Sequence, residues 1–588
     1  MRKLVLLAAG IAAAFAAFVA LTLPPRHLTL AAWDDRSIPG VLHVHTNRSD
    51  GLSSPDEVAA AAARAGLKFL VFTDHGDATR PPDRPQYRSG VLCLDGVEIS
   101  TNEGHYVAID MPASPYPLAG EARDVAEDVR RLGGFGIVAH PDSPKSELHW
   151  RDWGVPFDGI ELLNPDTSWR ILAQEPGWRP KAALIEAVLD YRFRSPEVIA
   201  SVLQPTRALR DWEPLTRVRR VVTVAGTDAH ARLSLRADPV DARFTLRFPS
   251  YEASFRTLSV RVTPDVAFTG RAADDAVSLM RAIRAGHLYT VVDALASPPS
   301  FELTAINQHG TARQGDVLQV GGGVLLHVQS NAPPEFLTVV HDGLKTLSSF
   351  RDAQDLTVHA SDQPAVYWVE IVSADRKPPL TWIRSNPIYV RGETVDAPAP
   401  AESPQRLPPQ TRRPIFDGTS LNGWEVEHLD PKTTSEVDLD DNVAGKAGSV
   451  TVGADLAGNM SRHELRFHYG LAPGPPAKQV AALRFSTLRG LGTADRVTFT
   501  IRADRPMRIS VQLRSGNAMG DRWQRSVFVD SSAREHTVFF DDVTPVGITE
   551  SKMPRLEDIR ALLFVVELTN TKPGSSGNVW IGKVALGK

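Results

Sequence analysis

Between Gly40 and Gly226, short apolar runs alternate with helical segments, and nearly every run ends on or beside a histidine or a carboxylate. Alternation of this kind predicts an α/β layout with parallel strands, since each strand needs a crossover segment to bring the chain back beside it. Residues 41–45 read as the first strand. Ser54 then opens a helix as N-cap, with Pro55 in the first position, Glu57 completing a capping box and Gly66 as the stop. Further strands are expected over 68–73, 91–99, 106–109, 135–139, 159–163 and 220–225, with helices over 121–132 and 272–285. Residues 166–215, rich in Trp, Pro and Arg, read as irregular helices over one face.

Side chains two apart on a strand face the same way, so His43 and His45 can meet one metal ion. Asp228 and His230 repeat that spacing with a carboxylate and an imidazole. Between the two pairs lie His75 after Thr73-Asp74, Glu98 after Val97, His105 after Gly104, and His140 before Pro141. An α/β barrel gathers its active-site groups at the C-terminal ends of its strands. A lone histidine there is usually a hydrogen-bonded or surface residue. Six of the seventeen histidines at such positions, with acidic partners, point instead to a shared centre. Mixed imidazole and carboxylate ligation suits Zn, Mn or Fe rather than Ca or an iron–sulfur cluster.

The ordered set His43-x-His45, Ser49-Asp50-Gly51, Thr73-Asp74-His75, Glu98, His140-Pro141 and Gly226-Thr227-Asp228-x-His230 resembles the motifs of the PHP (polymerase and histidinol phosphatase) superfamily of metal-dependent hydrolases. The resemblance covers residues 40–290 and implies a distorted (β/α)7 TIM-like barrel with two or three divalent ions. It implies one ion on His43, His45, Glu98 and Asp228, a second on Glu98, His105 and His140, and a third on Asp50, His75 and His230. The implied activity is that of a phosphoesterase on a small-molecule or glycan-linked ester. The chain also resembles the exported branch with carbaryl- and carbamate-hydrolase-like members, which leaves carboxyl-ester, carbamate or amide hydrolysis as the alternative. A binding protein with a vestigial metal site is the reading from a different class. Catalytic candidates are Glu98 and Asp228, with Asp74 to orient a ligand or relay a proton, or only to support a neighbour. Arg232 is a candidate for an anionic substrate group, or a solvent-facing loop charge. Asn164, at the end of the strand expected over 159–163, either lines the pocket or supports it.

The metallohydrolase domain, over 36–295, is too short to account for 588 residues. After it the texture becomes all-β: a small β-sandwich over 296–392, a Pro-rich linker over 393–415, and a galactose-binding-like, jelly-roll-like β domain over 416–588. The last of these is similar in pattern to carbohydrate-binding jelly rolls, so carbohydrate is a candidate partner. Trp523 is placed there either to stack on a sugar ring or to pack internally. At the other end, Arg2 and Lys3 precede the uncharged stretch 4–23, within a segment 1–25 that reads as a signal peptide or N-terminal membrane anchor. The lack of a good small-x-small cleavage site favours the anchor. Either form exports the rest of the chain, making it periplasmic or extracellular. A net charge of -4 gives no basic footprint for nucleic acid. Cys93, the single cysteine, excludes an internal disulfide and sits in an apolar run as core.

Overall fold

The computed structural model describes residues 2–31, 36–234, 245–374, 379–392, 408–428, 432–441, 463–473, 479–487, 490–516 and 520–588. The chain divides into two compact units, Met1–Pro112 with Glu121–Ala401, and Ala113–Gly120 with Glu402–Lys588.

In the first unit a closed ring of strands holds the candidate site. It comprises β1 (Ile38–Val44), β2 (Phe69–Phe72), β3 (Val91–Asp95), β4 (Val97–Thr101), β5 (Gly104–Ile109), β6 (Phe135–Val138), β7 (Gly159–Leu163) and β8 (Val222–Ala229). Strands β8, β1, β2 and β3 pair in parallel. The chain passes Gly96, where a Cβ would meet the Ala108 carbonyl at 2.7 Å, and continues as β4. Strand β5 is antiparallel to both β4 and β6, and β6, β7 and β8 close the ring in parallel. The ring is therefore mixed, parallel as the alternation predicts except around β5. The turn between β4 and β5 is too short for a crossover helix, and it forces a hairpin.

Alternation along the strands separates two apolar layers. Leu42, Val71, Leu92, Val107, Ile137 and Val224 belong to one buried cluster. Val41, Val44, Leu70 and Phe72 pack on the other face, against Val58, Ala61 and Ala62 of a helix spanning Pro55–Arg64. That helix has the expected capping box, and Gly66 follows it at φ 84°. Helices also span Ala122–Arg131 and Ala272–Ala285, close to expectation. The stretch 166–215 is more regular than its composition suggests, with helices over Pro165–Gln174, Trp178–Asp190, Ser195–Ser201 and Leu209–Val218.

The β-rich residues 296–392 form two layers, but they do not separate from the ring as a compact unit. The strand Leu380–Ser385 pairs with Leu288–Val291, which pairs through Ser259–Val262 with β1. Asn386 reinforces the join: its amide donates to the Thr223 and Leu288 carbonyls at 2.9 and 3.1 Å and its Oδ1 accepts from the Thr223 N–H at 2.8 Å. Shared backbone hydrogen bonds thus make one body where the change in texture suggested two.

Among its described residues the second unit is all antiparallel, with two six-stranded sheets over a common apolar core that includes Leu465, Phe467, Phe499, Phe564 and Ile581. The expected linker over 393–415 lies largely outside the described residues. Its end is no linker, because Arg412–Pro414 pairs with the final strand, Ser576–Gly587. Near the N-terminus, Arg2–Thr22 is one helix, and its Val5–Thr22 window, with mean hydropathy 2.4, is long and apolar enough to cross a membrane. Cys93 is buried, and that burial pushes its thiol up to about 12.

Candidate metal centre

The two His/Asp pairs sit on irregular strand ends. The register of β1 on β2 slips between Val41 and Val44, and that of β8 on β1 slips between Gly226 and Ala229. Within those bulges His43 has φ 61° and Asp228 φ 46°, while His140, just past β6, has φ 29°. A side chain held at positive φ costs on the order of 1–3 kcal/mol, and such strain collects where function over-determines the backbone. The simple two-residue period therefore does not aim His43 and Asp228. Local bulges re-aim them toward a common point.

Glu98 lies at that point, fully buried on β4. Its Oε2 is 3.3 Å from His43 Nε2, 3.1 Å from His45 Nε2 and 3.3 Å from His75 Nδ1. Its Oε1 is 2.7 Å from His105 Nδ1 and 2.9 Å from His140 Nε2. Asp228 Oδ1 stands 3.4 Å from both His43 Nε2 and His45 Nε2. Those two Nε2 atoms are buried and have no hydrogen-bond partner. An orphaned pair of imidazole nitrogens facing two carboxylates fits a cation. Donors about 2.0–2.1 Å from a tetrahedral centre stand roughly 3.3–3.4 Å apart, close to the spacings here.

A more open group adjoins this one. His230 Nε2 is 3.2 Å from Asp50 Oδ1, His75 Nε2 is 3.8 Å from Asp50 Oδ2, and His45 Nδ1 is 3.5 Å from Asp50 Oδ1. The His230 Nδ1–H donates to the Asp228 carbonyl at 2.8 Å, which leaves the Nε2 lone pair for a ligand. His75 and Asp50 are the most exposed members, so the centre opens along this edge. All nine residues expected as ligands are thus gathered, with Glu98 common to two of the groups.

The electrostatics reflect crowded charge. Burial alone would lower His43, but Glu161, Asp228 and Glu98 outweigh it and raise the imidazole well above its ordinary value. The same contest of burial against neighbouring carboxylates raises His140, and it raises His230 to about 9. Burial opposes ionisation of Glu98 and Asp228, yet the surrounding imidazoles hold both well below the carboxylate range. Burial prevails at His75 and lowers it.

The other two catalytic candidates lie around the centre. Asp74 points into the 46–50 loop: Oδ1 accepts from the Thr46 N–H and Ser49 hydroxyl, both at 2.7 Å, and Oδ2 accepts from the Thr46 hydroxyl at 2.8 Å. Its carboxylate holds the loop that carries Asp50, the supporting one of the two roles expected for it. Arg232 donates from Nη1 to the Asp50 carbonyl at 3.3 Å, at the open edge.

Glu161 is the residue that sequence reasoning missed. It is buried on β7, with Oε1 accepting from His43 Nδ1 at 2.5 Å and Oε2 accepting from the His140 N–H at 2.8 Å. A carboxylate on the far nitrogen fixes the tautomer of a ligating imidazole. Asn164 donates to Glu161 Oε2 at 3.1 Å and caps the following helix by accepting from the Thr167 N–H at 2.9 Å. It supports the site and does not line it as a ligand. Gly226 makes the room, since a Cβ there would stand 1.9 Å from Glu161 Oε1. The available signal was a charged residue in the middle of the apolar run Gly159-Ile160-Glu161-Leu162-Leu163. In the second unit Trp523 is buried and donates from Nε1 to the Ser551 carbonyl at 3.1 Å, so it packs and offers no sugar platform.

No family model matches the chain, and no curated protein matches it. Among solved structures it is similar to a two-domain protein containing a predicted PHP-like metal-dependent phosphoesterase from Bacteroides vulgatus, at 13% identity and TM-score 0.27. That likeness covers 62% of this chain and 99% of the other. The family 11 carbohydrate-binding module of a cellulosomal cellulase of Clostridium thermocellum is similar at 15% identity and TM-score 0.23, over 30% of this chain and 95% of the module. Likenesses this low assign neither an activity nor a ligand.

Proposed function

We propose that this chain is a metal-dependent hydrolase acting on phosphoesters. The observation that carries the reading is the sharing of Glu98, with Oε2 facing His43 and His45 and Oε1 facing His105 and His140. A carboxylate shared between two donor groups suits a pair of cations, the arrangement that favours in-line phosphoryl displacement. His43, His45, Glu98 and Asp228 would hold one ion; Glu98, His105 and His140 a second; Asp50, His75 and His230 a third. Such ions, when bound, would supply Lewis acidity toward an ester oxygen and toward water near neutral pH.

The chain's own residues do the rest. Glu161 presents the His43 Nε2 lone pair, and the His230–Asp228 backbone bond does the same for His230. Asp74 holds the loop that brings Asp50 to the open edge. Arg232, anchored on the Asp50 carbonyl, stands where a substrate's anionic oxygen would arrive along that edge. The apolar helix Val5–Thr22, preceded by Arg2 and Lys3, supports an exported enzyme held at the membrane.

Metal analysis coupled to a substrate panel tests the reading, using nitrophenyl phosphate, bis-nitrophenyl phosphate, nitrophenyl acetate and a naphthyl carbamate. Phosphate esters turning over with one or more transition metals per chain is the expected result. Turnover of the acetate or carbamate alone would transfer the same centre to carbonyl chemistry. Less than one metal per chain, unchanged in the His43→Ala/His45→Ala protein, would refute a metal enzyme altogether.

A further inference from the structure

A pocket of about 90 Å³ adjoins the metal centre, with Asp228 and His230 at one end and walls that include Trp169, Val198, Val202 and Phe248. Val198 and Val202 are buried, while Trp169 and Phe248 are half-buried and meet edge to face with ring centroids 5.5 Å apart. The wall is rigidly tied to the centre. Trp169 lies on the helix Pro165–Gln174, whose cap Asn164 is bonded to Glu161, and Glu161 holds His43. Positioning cations and water requires none of this apolar surface. Ligand sites, by contrast, combine mostly apolar walls with a few convergent polar groups.

We infer that this pocket receives a compact apolar group of the substrate, about the size of a branched butyl chain, next to the ester bond that is cleaved. The inference rests on the hydrolase reading above and adds the substrate class. An engineered apolar cavity of about 150 Å³ takes one benzene, so a pocket of about 90 Å³ suits a branched butyl group, leaves a methyl group loosely packed and is too small for a fused ring system. A methylene moved from water into such walls is worth about a fourfold gain in kcat/KM. Trp169 and Phe248, packed edge to face in the wall, limit the size that fits.

The test uses the full-length protein loaded with Zn or Mn and a series of methyl, propyl, isobutyl and naphthylethyl phosphates, read by phosphate release. Three added methylene equivalents predict isobutyl phosphate to exceed methyl phosphate by about tenfold to sixtyfold in kcat/KM, with the naphthylethyl ester below isobutyl. Trp169→Ala enlarges the pocket and raises the naphthylethyl ester relative to isobutyl, with metal content and melting temperature as controls for the fold. Binding of methylphosphonate and isobutylphosphonate, measured calorimetrically, gives a second readout that needs no turnover. A flat series together with equal phosphonate affinities overturns the inference. No turnover of any ester, with isobutylphosphonate still binding tenfold more tightly, overturns the hydrolase reading and leaves the pocket's preference standing.

Discussion

Replacing Glu161 with Gln exchanges one carboxylate oxygen for an amide NH₂ and should disable His43, the candidate ligand that it supports from the far ring nitrogen. In the native chain Glu161 only accepts: from His43 Nδ1 at 2.5 Å, from the His140 N–H at 2.8 Å and from the Asn164 amide at 3.1 Å. A glutamine side chain must turn its single oxygen toward one side. Facing His140 and Asn164, two donors, the oxygen satisfies both and leaves its NH₂ against His43 Nδ1. His43 then becomes an acceptor at Nδ1 and carries its proton on Nε2, the atom that faces Glu98 and Asp228. Loss of such a supporting carboxylate lowers metal affinity about 10- to 100-fold, or about 1.4–2.8 kcal/mol. Equilibrium dialysis against a chromophoric chelator measures the affinity, and circular dichroism of the metal-free protein controls for the fold. Gly226→Ala should reproduce the effect from the opposite side, because its Cβ would stand 1.9 Å from Glu161 Oε1. Glu161→Gln protein with native metal affinity and native turnover would refute the tautomer argument.

Four further outcomes follow from the same structure. Asp228→Ala should abolish turnover, by 10³-fold or more on the order of a lost metal ligand, and reduce metal per chain while the apo fold melts normally; retained activity would undo the assignment. Asp74→Ala should release the loop bearing Asp50, weakening only the most loosely held metal in a stepwise chelation experiment and leaving the tighter ones in place. Glu370, half-buried beside His341 and Arg384, is held down to about 2 despite the opposing effect of partial burial, so its stabilisation is complete above its ordinary value of 4.5 and is lost as pH falls from there toward 2. Glu370→Gln should therefore flatten the acid limb of the melting temperature against pH, removing a dependence of at most ~3 kcal/mol. Trp523→Ala should destabilise the second unit by about 3–5 kcal/mol, read as a lowered calorimetric transition; an unchanged transition would return Trp523 to the surface.

Local chemistry made much of the first unit legible. Ser54, Pro55, Glu57 and Gly66 bound a helix through contacts within a few residues, and the helix forms between them. The strand-end histidines were visible because apolar runs mark strands and polar groups interrupt them. Asp74 was harder to place, since a carboxylate beside a ligand reads the same whether it faces the ion or turns back to its own loop. The direction is set by Thr46 and Ser49, which approach it only after folding.

From the sequence alone, the nine candidate ligands could be picked out, because nearly every one follows or interrupts an apolar run that marks a strand. Tertiary structure alone decided how they act together. His43 meets Glu161 across 118 positions, and Gly226 must lack a side chain to permit it. It also decided that residues 296–392 share hydrogen bonds with the ring, and that Trp523 is enclosed. Periodicity, caps and turns depend on neighbours in sequence and can be read there. Which buried group a carboxylate supports depends on the through-space geometry of distant strands, which only the folded chain creates.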